Sequence, residues 1–119
     1  MTGPVSVEEV ARDFAQRIDE RDWDGLAALL APSCRVEFRH DGSVFDRDGW
    51  VAFNAGYPAV VRFVAEDVVA ADDRAVLRAH CFNDDVSLYV ACFLTVTGGL
   101  VTELVEVWTD DTTATEETS

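Results

Sequence analysis

The sequence predicts a single α+β domain in which three N-terminal helices precede and pack on an antiparallel sheet. Three observations support this class. Apolar residues recur at helical spacing in the first half, Val-rich alternating segments fill the second half, and two-residue turn signals separate those segments. The length of 119 residues suits one domain, and a hydrophobic content of 49% is enough for a core.

The first helix is predicted to begin at a capping box. Ser6 and Glu9 have the S-x-x-E spacing that satisfies free N–H groups at a helix start, and apolar residues follow at helical spacing until about Arg21. Asp22 can cap a second helix, which Pro32 stops.

A strand and a third helix complete the first half. Residues 34–40 alternate between apolar or aromatic and charged side chains, as in a half-buried strand, and a turn follows at residues 41–43. Asp46 then caps a third helix, which Gly56 and Pro58 end.

The second half is predicted to be an antiparallel meander. Asp84-Asp85 and Gly98-Gly99 are hairpin signals between the last three strands. The predicted strands are residues 59–70, 75–83, 86–97 and 100–109. The remaining residues, 111–119, are small or acidic, so we expect a disordered tail after a domain spanning residues 1–110.

The two tight turns predict a register for the last three strands. A turn at Asp84-Asp85 places His80 opposite Tyr89. A turn at Gly98-Gly99 then places Tyr89 opposite Trp108 and, two residues along the strand, Ala91 opposite Glu106.

Alternation sorts these side chains onto two faces of the sheet. The second face is almost purely apolar, and three short helices can cover only one face. We therefore expect the apolar face to be closed by a second copy of the chain, in a twofold homodimer. The first face mixes aromatic and charged groups and carries Arg78, His80, Phe82, Tyr89, Ala91, Phe93, Leu104, Glu106 and Trp108.

Composition excludes several classes of partner and site. The net charge is −14 and all nine cations are Arg, so phosphate backbones and anionic membranes are poor partners. We find no membrane-length apolar run and no secretory signal, which predicts a cytoplasmic protein. Three widely spaced cysteines without a CxxC argue against a disulfide scaffold or zinc site, and no phosphate loop is present. No metal or cofactor is expected.

The order of these elements resembles SnoaL-like proteins of the nuclear transport factor 2-like superfamily, over roughly residues 6 to 110. The resemblance rests on residues 22–32 running into 34–38, on 48–53 in the third helix, and on 99–104 and 107–110 in the last strand. It implies a cone-shaped fold with a curved sheet, usually dimeric, and a pocket between the helices and the concave face. By this resemblance the mixed face is the pocket face.

The resemblance does not carry over a known set of catalytic residues. The superfamily includes ketosteroid isomerases, whose catalytic Asp on the first strand is replaced here by Phe38. Their buried hydrogen-bonding Asp falls at Ala91. The Asp-Arg-Asp set of limonene epoxide hydrolases has no match. Fold transfer is therefore stronger than function transfer.

The remaining polar groups of the mixed face give the candidate catalytic residues. Glu106 would project into an apolar pocket beside Trp108, where burial favours a general acid or base; an ion pair with Arg78 is the alternative. His80 is a natural proton carrier or a hydrogen-bonded core residue. Tyr89 could donate its O–H to a carbonyl oxygen, or serve as a core aromatic.

Two functions from different classes remain open. One is a cofactor-free acid–base isomerase, cyclase or dehydratase acting on a small lipophilic molecule. The other is a non-catalytic ligand-binding or structural dimeric module. His40 could close the pocket mouth or lie exposed at a loop edge, and Asn54 could line the pocket or end its helix. The candidate ligand-binding residues are Arg78, Trp108, Phe38, His40, Asn54, Phe93 and Leu104.

Overall fold

A computed structural model describes residues 6–109, so the predicted tail lies outside the described residues. This part of the chain forms three helices and one six-stranded sheet, which confirms the α+β class. The helices are α1 (Val7–Asp19), α2 (Trp23–Leu29) and α3 (Arg47–Ala55). The strands are β1 (Leu30–Phe38), β2 (Val44–Asp46), β3 (Arg62–Ala71), β4 (Arg74–Phe82), β5 (Ser87–Thr97) and β6 (Leu100–Trp108).

The predicted helix starts are confirmed. Ser6 Oγ accepts the Glu9 N–H at 3.0 Å and the Glu9 carboxylate accepts the Ser6 N–H at 3.0 Å, which completes the capping box. The carboxylates of Asp22 and Asp46 cap α2 and α3 by accepting backbone N–H groups at 2.9 and 2.7 Å. These caps define where each helix turns away from the preceding segment.

The sheet has the order β2-β1-β6-β5-β4-β3, with β1 and β6 parallel and every other neighbouring pair antiparallel. β1 begins at Leu30 rather than at Cys34, because Leu30 and Ala31 bury their side chains in the core. Pro32 is accommodated within an irregularity of the β1–β6 register between Leu30 and Arg35. β2 is a short edge strand that no pattern in the sequence predicts.

The helices pack on the apolar face of the sheet, which corrects the expectation that a second copy of the chain covers it. Phe14 of α1 and Trp50 of α3 are fully buried, with parallel rings 5.8 Å apart. The physical reason is the match of apolar surfaces: the apolar helix stripes bury most area against the more apolar face of the sheet. The buried residues of that face include Leu77, Ala79, Cys81, Val90, Cys92 and Leu94.

The predicted register is confirmed for β4 and β5, where His80 pairs with Tyr89. It is wrong for most of β6. Gly98 and Gly99 both have positive φ, as a tight hairpin turn requires, but the register between β5 and β6 then shifts by one residue at Thr102. Glu106 consequently pairs with Cys92, not with Ala91, and its side chain changes face.

Within residues 6–109, no helix is long and apolar enough to cross a membrane. The same residues hold no group of three or more His, Cys, Asp or Glu side chains arranged to bind a metal ion.

Candidate functional site

A cavity of about 270 Å³ opens between the C-terminal end of α1, α3 and the inner face of the sheet. Its volume is near the lower end of the roughly 300–1,000 Å³ usual for ligand sites, which suits a mono- or bicyclic molecule. The apolar part of its wall includes Ile18, Trp23, Phe38, Phe63, Leu88 and Trp108. Six polar residues also line it: Arg21, His40, Asp41, Asn54, Tyr57 and Thr109.

An aromatic cluster supports one side of this cavity. The ring of Phe38 lies 5.0 Å from that of Phe45 and 5.7 Å from that of Phe53, and the last two rings are 5.3 Å apart. Phe38 is buried at the end of β1, whereas Phe53 on α3 remains 50% exposed. Tilted and edge-on rings at these distances attract one another, so they hold an apolar wall open to a ligand.

His40 and Asn54 both line the cavity. His40 Nδ1 accepts the backbone N–H of Trp108 at 3.4 Å, which places the proton of the neutral ring on Nε2. Nε2 lies 3.8 Å from the Asp41 carboxylate, whose pKa is lowered chiefly by the hydrogen bond from the Ser43 backbone N–H. The side-chain amide of Asn54 also donates to the Trp50 carbonyl of α3 at 2.9 Å, which holds this side chain against its own helix.

Glu106 is buried immediately behind the cavity wall. Its Oε1 accepts the indole N–H of Trp108 at 3.1 Å, and its Oε2 accepts the Cys92 thiol at 3.3 Å. Burial raises the pKa of Glu106 to about 6, although the hydrogen bonds from Trp108 and Cys92 oppose the shift. The indole N–H of Trp50 also slightly lowers this pKa, but it makes no hydrogen bond of standard geometry.

Four of the predicted site residues lie on the opposite, outer face of the sheet: Arg78, His80, Tyr89 and Phe93. His80 bonds Ser87 Oγ at 2.8 Å and stacks on Tyr89, with ring centroids 4.5 Å apart. Arg78 pairs with Glu66 at 3.3 Å, so the alternative ion pair with Glu106 is wrong.

The mixed face is therefore not the cavity face. Phe93 and Ala91 share the outer face with His80, because β4 and β5 present their apolar residues to the helices. Ala91 is thus not at a cavity position, which removes the match made for the buried isomerase Asp. Leu104 lies on the inner face but is fully buried in the core and does not line the cavity.

The cysteines are free, buried thiols, as the sequence indicated. Burial is the main cause that raises the pKa of Cys34 and of Cys81 to about 11, so both stay protonated and unreactive at neutral pH. Cys81 lines the cavity and contributes a small apolar surface to it.

Sequence reasoning missed four polar lining residues: Arg21, Asp41, Tyr57 and Thr109. The first three lie in segments between regular elements, where side-chain periodicity gives no direction. Arg21 does carry a signal: it occupies the position directly after a helix end, where Gly is usual.

Comparison with known proteins places this geometry in a family. The family model of the SnoaL-like domain matches residues 11–115. No curated protein matches the chain in sequence. A proposed ketosteroid isomerase from Kribbella flavida DSM 17836 superposes with a TM-score of 0.83 at 26% identity, covering 87% of this chain and 78% of that one.

Two more distant structures share the fold alone. One is IdmH of Streptomyces antibioticus, a proposed polyketide cyclase, with a TM-score of 0.76 at 15% identity, covering 87% of this chain and 92% of that one. The other is an LEH-like epoxide hydrolase of M. tuberculosis, with a TM-score of 0.72 at 14% identity, covering 87% and 82%.

Proposed function

Since this chain belongs to the SnoaL-like domain family, we propose that it binds a small, largely apolar molecule in the cavity between its helices and sheet. The observation that carries the proposal is the cavity itself, with an aromatic wall and a few polar groups at its edge. Phe38 and Trp108 would contact the apolar body of the ligand. The Nε2–H of His40 and the amide of Asn54 would bond its polar end.

Binding without chemistry is the function that the geometry supports best. His80 and Tyr89, two of the three candidate catalytic residues, lie on the outer face. His40 uses its acceptor nitrogen on a backbone N–H, so the neutral ring offers the ligand a donor and no base.

Substitutions at two neighbouring positions test the binding proposal. Ala59 lines the cavity, whereas Val60 is 70% exposed and does not. We expect Ala59→Trp to fill the cavity and abolish binding of 2-acetylnaphthalene, a neutral bicyclic ketone, while Val60→Trp binds it as the wild type does. Two indole N–H signals in NMR spectra provide the readout, because Trp23 and Trp108 line the cavity and Trp50 does not. Equal binding by both variants contradicts the proposal.

Acid–base catalysis is the second candidate function, and Glu106 is the observation that favours it. A carboxyl group with a pKa of about 6 in a water-poor site is suited to moving protons near neutral pH. Its Oε1 bonds the indole of Trp108, which lines the cavity. A ligand that turns this indole would bring the carboxylate to an acidic C–H next to a carbonyl group.

Hydrogen–deuterium exchange discriminates between the two functions. In the catalytic case Glu106 removes a methyl proton of 2-acetylnaphthalene, and the enolate recovers a deuteron from the exchanged carboxyl group. The wild-type protein would then accelerate exchange in D₂O by about 100-fold or more, and Glu106→Gln would abolish the effect. His80→Gln on the outer face is the control. No acceleration by the wild type assigns the protein to binding alone.

A twofold dimer is also part of the proposal. Its contact surface would be the outer sheet face instead of the apolar face, which the helices cover. Tyr89 and Val107 are each 42% exposed there. Charged pairs border these residues on either side: Glu37 with two arginines on β1, and Arg78 with Glu66. An apolar centre with a charged border is the usual anatomy of an interface between protein chains.

The cytoplasmic location stays a prediction.

A further inference from the structure

We propose that Arg21 is the anion anchor of this cavity and that the ligand is a small apolar molecule carrying one carboxylate. The inference rests on the binding function proposed above and narrows its ligand to a chemical class.

The first support is electrostatic. Seven of the nine arginines have a carboxylate oxygen within 4.0 Å: Arg12, Arg17, Arg35, Arg39, Arg47, Arg62 and Arg78. Among the described residues, only Arg21 and Arg74 form no such ion pair. Arg21 lines the cavity, whereas Arg74 begins β4 at the opposite end of the sheet from the cavity residue Cys81. In a chain of net charge −14, an arginine without an acidic partner at a cavity is available to an anionic ligand.

The second support is the backbone conformation. Arg21 follows α1 with a φ of +59°. Its N–H bonds the Ile18 carbonyl at 3.0 Å and the N–H of Asp22 bonds the Arg17 carbonyl at 2.9 Å, which is the Schellman pattern of helix ends. Glycine suits this position best, because a Cβ is strained there. An unfavourable residue kept at the edge of a cavity points to a role in function.

The third support is the placement of the side chain. The Arg21 guanidinium lies 5.4 Å from the centre of the Trp23 ring, which also lines the cavity. This cation–π contact restrains the guanidinium at the cavity, where its N–H groups can make a two-point bond to a carboxylate. A purely structural role at the helix end is less apt, because Arg17 already places a cation in the last turn of α1.

Asp41 is the other formally charged residue among those lining the cavity. Its carboxylate accepts the Ser43 N–H at 2.9 Å and lies 3.8 Å from His40 Nε2, so its charge is already solvated by its own turn. The carboxylate of Glu106 is separated from the cavity by the Trp108 indole. The apolar body of the ligand would thus lie on the aromatic wall, with its carboxylate at Arg21.

The test compares naphthalene-2-carboxylate with 2-acetylnaphthalene, a neutral probe of similar size. We expect the wild type to bind the carboxylate about 10- to 100-fold more tightly, as for a charge-assisted hydrogen-bonded pair. Arg21→Gly should lose this preference, so that it binds the two probes with similar affinity, and should melt at the same or a higher temperature. Arg74→Gln removes one positive charge elsewhere and should keep the preference.

Each other outcome overturns the inference. Equal affinity of the wild type for the two probes, or a preference that survives in Arg21→Gly, shows that Arg21 does not anchor an anion. If Arg21→Gly binds neither probe, Arg21 has a structural role. If the wild-type protein binds the ketone but not the carboxylate, the binding function stands and the anion anchor fails. Binding of neither probe removes both proposals.

Discussion

Glu106 is the charged residue that the described core buries, with 1% of its surface exposed. Burying a carboxylate without a cationic partner is unfavourable, and two hydrogen bonds, from Trp108 and Cys92, offset only part of that cost. The protein therefore holds the proton of this group more tightly when folded, and burial is the dominant cause of the raised pKa.

This raised pKa predicts a loss of stability with rising pH. The pKa of Glu106 moves from its ordinary value of 4.5 to about 6 on folding, so its contribution is fully present below about pH 4.5 and is lost as pH rises through 6. The shift corresponds to about 2 kcal/mol. Glu106→Gln should remove this part of the pH dependence. Urea unfolding at about pH 4 and about pH 7.5 measures the difference between the two proteins.

Glu103→Gln, on the exposed side of the same strand, is the control for removing one carboxylate. Comparing wild type and variant at each pH cancels the contribution of the other acids, such as Asp19 and Asp22, whose pKa values hydrogen bonds lower. If the free energy of unfolding changed with pH in the same way for the wild type and Glu106→Gln, the loss of stability could not be assigned to Glu106.

At the scale of the strand, the bulge at Thr102 decides which residues of β6 face the helices. Its Oγ1 donates to the Thr95 carbonyl at 3.2 Å, which holds the extra residue in place. Beyond it, Leu104 and Glu106 are buried and Trp108 lines the cavity. One inserted residue thus supplies part of the cavity wall.

Deleting Thr102 should leave the faces of β6 unchanged. The Gly98-Gly99 turn pairs Val96 with Val101, and without the extra residue Thr95 pairs with Glu103 in a regular hairpin, so Leu104, Glu106 and Trp108 stay on the inner face. Thr102→Val keeps the extra residue and loses one hydrogen bond, so it should cost about 1 kcal/mol. Denaturant unfolding followed by Trp fluorescence compares both variants with the wild type. A loss of several kcal/mol in the deletion variant, as expected when buried residues change face, would contradict this register.

The bulge also explains where sequence reasoning succeeded and failed. The turns at Asp84-Asp85 and Gly98-Gly99, and the three helix caps, follow from local chemistry and were predicted. No local signal marks Thr102 as an extra residue. The prediction that Glu106 and Trp108 face the cavity is right only because two errors cancel. The mixed face is the outer face and not the cavity face, and the unpredicted bulge moves these two residues from the outer to the inner face. His80 and Tyr89 lie on β4 and β5, where no bulge occurs, so they stay on the outer face.

The whole molecule presents an outer sheet face whose centre is apolar, and the proposed dimer predicts how it responds to charge. Val107→Glu places a carboxylate at the centre of this face and should convert a dimer into a monomer at micromolar concentration, as measured by sedimentation. Val44→Glu is the control, because Val44 is 53% exposed on the edge strand β2, beyond the charged residues of β1. A monomeric wild-type protein would contradict the dimer.

The cavity is a property of the whole molecule and was only partly predictable from sequence. The strand and helix positions of Phe38, His40 and Asn54 predict a place in its wall, and all three line it. Arg21 lies at a helix end, and it shares a cavity with residues of β5 and β6 only once the tertiary fold has formed. Its direction depends on a left-handed backbone conformation that no periodic pattern reveals.

The parallel pairing of β1 with β6 has a consequence for how the chain folds. The strand that follows the first two helices, β1, pairs on one side with the short β2 and on the other with β6, which is synthesised after β2 to β5. The β3–β6 meander can form by local hairpins, but β1 must wait for β6, and closing so long a loop is slow. A nascent chain that stops before β6 would expose the edge of β1, so the sheet of this domain cannot be completed until β6 has been synthesised.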